Sequence, residues 1–343
     1  MKILLVLLSL MIFTETSGAQ EVSFQKGISY VAWEKERYAS EHSDKSLEML
    51  AETGAEWVAI IPTWYQEKFD STRLFATEKT SSDRSLIHVI NKAHTLGLKV
   101  MLKPHIDLID QSGGLCRSDI GFQEEEDWQE WFSGYLKFIR HYAKLARDSG
   151  VELFCVGTEL SFASQRALFW EKEVIPAVRE IYSGDLTYAA NWDEYKNIRF
   201  WKSLDYIGID AYFPLVEKSN PGYEEIEAGW IKWADEIEAW QRSVNKPLIF
   251  TEIGYASCQV AAARPWENPL SASANLEIQA NCYKAAMNVL SKRDWCNGLY
   301  WWYWRPSPYS GGFADKDFTP QNKPAQIVLT DWYKGLTLAR LSR

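Results

Sequence analysis

Two glutamates occur at the ends of short apolar segments. Glu159 follows the apolar residues of "FCVGTEL", and Glu252 follows those of "LIFTEIGY". Segments of this length and composition are typical of buried strands in a parallel sheet. If the sheet holds the two carboxyl groups about 5–5.5 Å apart, they could cleave a glycosidic bond with retention, one as acid/base and the other as nucleophile. For either glutamate alone, the alternative is an ordinary solvated position at a strand end.

The strands that would carry these glutamates belong to a repeated pattern of apolar strand, loop and amphipathic helix. Eight strands are predicted, at residues 27–33, 57–64, 99–106, 152–159, 186–192, 206–213, 248–255 and 298–304. Apolar residues spaced three and four apart predict helices that include residues 128–146, 226–240 and 276–290. Glu159 then ends the fourth strand and Glu252 ends the seventh.

Loop lengths distinguish between two α/β architectures. The turns before strands are short and carry glycines where a helix would end, at Gly54, Gly97, Gly150 and Gly184. The loops after strands are long, notably 107–122, 256–272 and 305–322. This asymmetry predicts a single-domain (β/α)8 TIM barrel over residues 20–343, with its site at the carboxyl ends of the strands. The alternative, an open doubly wound sheet, would usually carry a glycine-rich turn after the first strand, and "SYVAWEKE" has none.

The chain begins with "MKILLVLLSLMIFTETSGAQ", which has a basic residue, an apolar run and small residues in that order. This order predicts a secretory signal peptide over residues 1–19, with Gln20 as the mature start. We therefore expect the protein to be secreted, to the extracellular space or the periplasm. A membrane anchor is the alternative, although the apolar run is short for a bilayer.

Composition limits the possible partners. Removing residues 1–19 leaves 324 of the 343 residues, and the net charge of −9 argues against nucleic acid or an anionic membrane as partner. No later segment predicts a membrane span, and no histidine or cysteine spacing predicts a metal site. Disulfides are possible in an oxidising compartment, but the sequence leaves their pairing open among Cys116, Cys155, Cys258, Cys282 and Cys296.

Four motifs together resemble a known group of enzymes. "VGTEL", "IDAYFPL", "FTEIGY" and "WWYWRP", on the fourth, sixth, seventh and eighth predicted strands, are similar to those of the clan A retaining glycoside hydrolases. The resemblance is greatest to glycoside hydrolase family 113, whose characterised members are β-1,4-mannanases, and it covers most of residues 26–335. It implies a (β/α)8 barrel with Glu159 as acid/base, Glu252 as nucleophile and Tyr212 bonded to the nucleophile. It implies no cofactor.

One position departs from the clan pattern. Many members have asparagine immediately before the acid/base, where it holds the sugar 2-hydroxyl, whereas this chain has Thr158. Either the threonine hydroxyl makes this contact less directly, or Asn191 on the fifth strand reaches the same place. Asp210 is an alternative catalytic carboxylate, with a buried structural role as the competing interpretation.

Several other residues at strand ends are candidate substrate contacts. His105 could bond a sugar hydroxyl or make a structural hydrogen bond. The sequence contains 17 tryptophans, and their flat rings could stack on sugars, although core packing is the competing role for each. Four of them lie at or beyond strand ends: Trp33, Trp64, Trp192 and Trp304. We expect Trp304 to form a sugar platform because its strand neighbours the strand of Glu252.

These observations predict a secreted, monomeric endo-β-1,4-mannanase that acts on mannan or glucomannan through Glu159 and Glu252. Two alternatives stay open. The same chemistry could act on β-glucan or another β-linked oligosaccharide, or the barrel could bind carbohydrate without cleaving it.

Overall fold

Eight parallel strands close into a barrel in which the last strand pairs with the first. The computed structural model describes residues 24–267 and 271–335, so the predicted signal peptide lies outside the described residues. The barrel strands are β1 (Gln25–Tyr30), β2 (Trp57–Ile60), β3 (Lys99–Leu102), β4 (Leu153–Thr158), β5 (Asp185–Asn191), β6 (Ile207–Asp210), β7 (Leu248–Ile253) and β8 (Cys296–Trp304). Each predicted strand is present, which confirms the barrel and excludes the open sheet.

The second and third strands end earlier than predicted. Beyond them, Thr63–Gln66 and His105–Leu108 pair with each other in a separate two-stranded sheet. Pro62 and Pro104 stand at the two breaks, and proline has no backbone N–H to donate to a neighbouring strand. The short sheet extends the barrel wall outward and brings His105 to the mouth.

Helices surround most of the barrel. They are α1 (Glu41–Glu52), α2 (Asp83–Thr95), α3 (Glu125–Asp148), α4 (Ser161–Ser164), α5 (Ala167–Phe169), α6 (Ile175–Arg179), α7 (Tyr223–Val244), α8 (Leu276–Leu290) and α9 (Pro324–Tyr333), with a π-helical turn at Trp170–Val174. The three helices predicted from apolar spacing correspond to α3, α7 and α8. Between β5 and β6 the structure has only the 3-10 turns Tyr195–Asn197 and Trp201–Ser203, so this unit lacks the α-helix of a regular barrel.

Three of the four predicted glycine turns have the expected conformation. Gly54, Gly97 and Gly150 have φ values of 86°, 78° and 68°, which side chains rarely adopt. Gly184 differs, because it is not among the residues with positive φ and α6 ends at Arg179. A Cβ atom at Gly184 would lie 2.3 Å from the Tyr182 hydroxyl, so close approach explains the glycine there.

The amino-terminal half of the barrel interior is filled by side chains. Trp57, Met101, Ile249 and Tyr300 form part of a separate buried cluster inside it. A Cβ atom at Gly27 would lie 2.4 Å from the Tyr300 ring, so only glycine fits beside that ring. Because this end is closed, the carboxyl ends of the strands provide the opening for a ligand.

Two further findings concern the whole described chain. Over residues 24–267 and 271–335, every helix is too short or too polar to cross a bilayer. All five cysteines lie in these ranges and are free thiols, of which only Cys116 is exposed. No disulfide joins any two of them in this structure.

Candidate active site

Glu252 lies within β7 and is almost completely buried. Its Oε1 accepts a hydrogen bond of 2.5 Å from Lys103 Nζ, and its Oε2 accepts one of 2.7 Å from the Tyr212 hydroxyl. Each oxygen thus has its own donor, and one donor is a cation. Charge-assisted bonds of this kind fix both the position and the orientation of a carboxylate.

Lys103 also binds a second buried carboxylate below the mouth. Its Nζ lies 3.0 Å and 3.1 Å from the two oxygens of Asp210, and Thr251 Oγ1 donates to Asp210 Oδ1 at 2.7 Å. Burial opposes the charge on Lys103, but the Asp210 and Glu252 carboxylates outweigh it and raise the pKa of Lys103. Asp210 is fully buried and pairs in register with Glu252 of β7, and its bonds to Lys103 and Thr251 favour the structural interpretation.

Glu159 follows β4 directly and has very different surroundings. Its backbone N donates to Ala189 O on β5 at 2.8 Å, and its φ is 53°, a conformation unusual for a residue with a side chain. The side chain is 16% exposed and accepts one hydrogen bond, of 3.0 Å, from Arg117 Nη1. Burial raises the pKa of Glu159; Arg117 opposes the rise and the charge of Glu252 adds to it. The charge of Glu252 therefore acts on Glu159, and the two side chains share one mouth.

Arg117 belongs to the loop between β3 and α3, and sequence analysis did not identify it. Its Nε donates to Ile106 O at 3.0 Å, and its Nη2 lies 3.6 Å from Asp107 Oδ2. These contacts hold the guanidinium against Glu159. The only sequence signal was the length of the loop, which does not indicate where one arginine will point.

His105 lies at the same mouth with one ring nitrogen available to a ligand. The side chain is buried, its Nε2 lies 3.7 Å from Glu252 Oε1, and that nitrogen has no hydrogen-bond partner among the described residues. Burial, together with the charges of Arg117 and Lys103, lowers the pKa of His105 well below its usual value. The imidazole is therefore neutral. The Trp302 ring lies nearly parallel to it at 6.3 Å.

Trp33 lines two cavities. The residue is 43% exposed, and its ring makes an edge contact with the Tyr303 ring at 5.6 Å. The larger cavity, of about 420 Å³, also has Tyr65 and Asp107 in its lining. The smaller cavity, of about 260 Å³, also has Tyr303 and Arg305 in its lining. Asp107 connects the larger cavity to Arg117 and so to Glu159.

Two of the four candidate tryptophans, including the predicted platform Trp304, are turned away from the mouth. Trp304 is fully buried and its Nε1 donates to Ser46 Oγ of α1 at 3.0 Å, so it has no face for a sugar. Relative to β1, β8 carries an extra residue between Trp301 and Trp304, and such a bulge re-aims the side chains beyond it. Trp302, which sequence analysis did not select, is the tryptophan beside His105. Trp64 packs against Phe138 and His141 of α3 on the outside of the barrel.

The remaining predicted contacts lie at the ends of β4 and β5. Trp192 is half-buried and stacks on Trp266 at 5.8 Å, and Trp266 is 48% exposed. Asn191 is half-buried and pairs in register with Asp210 of the neighbouring strand. Thr158 is buried, with its Oγ1 3.8 Å from Cys155 Sγ. These three residues border the mouth on the side of Glu159.

The long loop after β8 is fastened to the loop after β7 by a buried lysine. Lys323 Nζ lies 2.8 Å from Ser257 Oγ, 3.1 Å from Asp315 Oδ1 and 2.7 Å from Asp317 O. Arg305 also forms ion pairs with Asp315 and Asp317. The wall of the mouth beside β7 and β8 is therefore cross-linked by charge-assisted bonds.

No group of three or more histidine, cysteine or acidic side chains in the described part of the chain could hold a metal ion. What the arrangement does hold is two carboxyl groups with opposite surroundings. One is immobilised by a cation and a hydroxyl, and the other has a raised pKa and partial access to solvent. Such a pair can supply one nucleophile or charge stabiliser and one proton donor.

Known proteins resemble the chain over nearly its whole length. The model of Glycoside Hydrolase Family 113 matches residues 28–323. A solved complex of a family 113 β-1,4-mannanase shares 29% identity at a TM-score of 0.82, covering 91% of this chain and 99% of that one. The family 113 β-mannanase AaManA from Alicyclobacillus acidocaldarius, in complex with ManMIm, shares 27% identity at a TM-score of 0.84, covering 92% and 99%. No curated protein sequence matches the chain.

A more distant likeness concerns the fold alone. A β-glucuronidase from Ruminococcus gnavus shares 15% identity at a TM-score of 0.60, and the match covers 91% of this chain and 50% of that one. By contrast, the family match includes every barrel strand from β2 to β8 and both glutamates. The chain therefore belongs to glycoside hydrolase family 113, and the protein is a retaining glycoside hydrolase.

Proposed function

We propose that the protein is a secreted endo-β-1,4-mannanase in which Glu159 is the acid/base and Glu252 the nucleophile. The observation that carries the catalytic assignment is the contrast between the two carboxyl groups. Lys103 and Tyr212 hold Glu252 in place as an acceptor, whereas burial raises the pKa of Glu159 so that it can carry a proton. Retaining hydrolysis requires one group of each kind.

In the first step, Glu252 attacks the anomeric carbon while Glu159 gives its proton to the glycosidic oxygen. The bond from carbon to the leaving oxygen breaks, and an ester forms between the sugar and Glu252. Glu159 is then ionised. Arg117, 3.0 Å from Glu159 Oε2, stabilises the charge that appears on it.

In the second step, Glu159 takes a proton from water, and the water oxygen attacks the anomeric carbon of the ester. The Glu252 carboxylate leaves and returns to its bonds with Lys103 and Tyr212. Two displacements at one carbon give net retention of configuration. The unpaired Nε2 of His105 lies 3.7 Å from Glu252 Oε1 and is placed to form a hydrogen bond with a hydroxyl of the sugar bound there.

Two features support a polymer as the substrate. The similar solved structures of family 113 are named as β-1,4-mannanases or β-mannanases. Trp33 presents an exposed side chain that lines two cavities, and Asp107, which lies beside Arg117, lines the larger of them. Aromatic faces and adjoining cavities are suited to sugar units on either side of the one being cleaved.

The test is to incubate the purified protein with mannan, glucomannan, cellulose and xylan and to measure new reducing ends. We expect mannan and glucomannan to be cleaved, with products of mixed length early in the reaction, and Glu252→Gln to be inactive. Cleavage of cellulose or xylan in preference to mannan would reject the substrate assignment. Full activity of Glu252→Gln would reject the nucleophile.

Secretion is tested separately. The full-length chain is expressed in a secreting host, and the amino-terminal residue of the exported protein is determined. We expect it to begin at Gln20. This part of the proposal would be contradicted if the exported protein kept residues 1–19, or if the protein were found only in the cytoplasm.

A further inference from the structure

Glu159 has a backbone conformation that its own residue type does not favour. Its φ of 53° is left-handed, a conformation that glycine, asparagine and aspartate adopt more easily than glutamate. Such a conformation costs roughly 1–3 kcal/mol and persists only where neighbouring structure imposes it. Contacts from outside the turn must therefore hold the segment Glu159–Ser161.

Those contacts come from β5 and the turn that follows it. Ala189 O accepts the hydrogen bond from Glu159 N, and the Tyr188 hydroxyl accepts one of 3.0 Å from Leu160 N. The Tyr188 hydroxyl in turn donates to Glu194 Oε1 at 3.2 Å. Ser161 Oγ donates to Glu194 Oε2 at 3.3 Å. Three consecutive residues of the turn are thus held by one neighbouring element, and two of the three contacts lead to Glu194.

Glu194 is a buried acid to which the proposed reaction assigns no step. Only 4% of its surface is exposed, and Oε2 also accepts a bond of 3.1 Å from Asn191 N. Burial raises the pKa of Glu194 to about 7, and its hydrogen bonds, with Ser164, Asn191, Tyr188 and Ser161, oppose the rise. A buried carboxyl group is costly unless its oxygens are satisfied, so these donors are also what keeps Glu194 in place.

Packing fixes the connecting tyrosine. The Tyr188 ring is fully buried and makes edge contacts with Trp170 at 5.3 Å and with Phe200 at 5.3 Å. Its hydroxyl can therefore reach only a narrow region, in which Leu160 N and Glu194 lie. Because the Tyr188 ring is held rigidly, a displacement of Glu194 would also displace the backbone of the segment Glu159–Ser161.

We propose that Glu194, acting through Tyr188 and Ser161, is a positioning residue that sets the orientation of Glu159 for proton transfer to the leaving group. This inference rests on the proposed role of Glu159 as acid/base. Proton transfer needs a donor within hydrogen-bond distance of the leaving oxygen, and a misplacement of about 1 Å can cost on the order of 100-fold in rate.

The experiment compares two substrates that differ only in their need for that proton. A phenyl β-mannobioside has a poor leaving group and needs the acid, whereas a 2,4-dinitrophenyl β-mannobioside has a good one and does not. The variant Glu194→Gln keeps the size of the side chain and replaces one acceptor oxygen with an amide group that can only donate. We expect kcat/KM to fall about tenfold or more on the phenyl substrate and to change less than about twofold on the dinitrophenyl substrate.

Two further variants make the result decisive. Tyr188→Phe removes the hydroxyl between Leu160 and Glu194, should give the same leaving-group pattern, and carries the test if Glu194→Gln does not fold. Glu152→Gln is the matched control. Glu152 directly precedes β4, at the end opposite Glu159, and its Oε2 accepts a hydrogen bond of 2.8 Å from Val100 N. It should affect both substrates equally.

The outcomes separate the inference from the function on which it rests. The positioning role is rejected if Glu194→Gln and Tyr188→Phe lower kcat/KM by the same factor on both substrates. It is also rejected if they leave kcat/KM unchanged on both. Glu159→Gln serves as the reference, because it should show the strongest dependence on the leaving group. If Glu159→Gln lacks that dependence, the acid/base assignment itself fails, whatever the result for Glu194.

Discussion

The carboxyl ends of β4 and β7 present the same residue type in opposite ways. Glu252 lies within its strand, is 3% exposed and is held through both oxygens by Lys103 and Tyr212. Glu159 lies one residue beyond its strand, has a left-handed backbone and makes one side-chain hydrogen bond, to Arg117. The carboxylate of Glu252 is therefore held in one orientation, whereas the carboxyl group of Glu159 is accessible for proton exchange.

This difference corresponds to what the two steps of the proposed reaction require. A nucleophile needs a constant position and charge, which a regular strand and a buried cation provide. An acid/base must gain and lose a proton in each turnover and must meet first a leaving group and then water. A position just outside the strand, with one polar partner and a raised pKa, suits that changing role. Substitutions at the two ends should therefore have different consequences.

The largest effect is expected at the β7 end. Glu252→Ala should lower kcat/KM on every substrate by about 10⁴-fold or more, because no ester can form. Added azide fits the space left by the side chain and should restore activity by attacking the anomeric carbon once. The product, identified by NMR, should then be a glycosyl azide of inverted configuration. A retained azide product would contradict the assignment.

At the β4 end the loss should depend on the substrate. Glu159→Ala should lower kcat/KM on mannan by roughly 10²–10⁴-fold, because general acid catalysis contributes about that much. A dinitrophenyl mannoside should be affected far less in kcat/KM. Azide should here give a product of retained configuration, because it attacks the ester in place of water. If both glutamate variants gave an azide product of the same configuration, the assignment of different roles to Glu159 and Glu252 would be rejected.

Lys103, the cation bonded to Glu252 of β7, should contribute to the free energy of unfolding as well as to the reaction rate. Lys103→Met leaves Asp210 and Glu252 buried with no positive partner, and breaking such a group costs roughly 3–5 kcal/mol. Denaturant unfolding measures the loss. The double variant Lys103→Met with Asp210→Asn should recover part of it, because one uncompensated charge is gone. Equal stability of the single and double variants would show that Asp210 is not the partner that matters.

The smallest effect is a shift in pH dependence at the β4 end. Arg117 opposes the rise in the pKa of Glu159, so Arg117→Gln should raise that pKa further. Because the first step needs protonated Glu159, activity falls as pH rises through this pKa. The alkaline limb of kcat/KM should therefore move to higher pH. Arg140→Gln, which removes an exposed arginine paired with Glu180 on the outer surface, is the control and should leave the limb unchanged.

The barrel itself could be predicted because buried parallel strands read as continuous apolar segments, and all eight were found in this way. The breaks at Pro62 and Pro104 interrupt two of these segments in the structure, although the apolar pattern runs through them. Prediction was weaker between β5 and β6. Aromatic residues of that segment, such as Tyr195 and Trp201, are buried in 3-10 turns, without the spacing that would have predicted a helix.

The two glutamates could be located from the sequence because each comes at the end of a predicted strand, and Tyr212 could be located because the family resemblance implies its bond to the nucleophile. Arg117 and Trp302 could not, for two different reasons. Arg117 depends on the path of a long loop, which residues far apart in the chain determine. The choice between Trp302 and Trp304 depends on an extra residue in β8 relative to β1. This residue reverses the directions in which the two side chains are expected to point, and it can be recognised only once the two strands are paired.

Lys323 has a consequence for how the cleft would bind the proposed polysaccharide. Its ammonium group ties Ser257 to the backbone and side chains of the loop after β8, and its side chain is completely buried. A loop held in this way has little conformational entropy left to lose when a sugar chain arrives. For the proposed substrate, we therefore expect this side of the cleft to be shaped before binding, so that most of the conformational entropy lost on binding is that of the glycan.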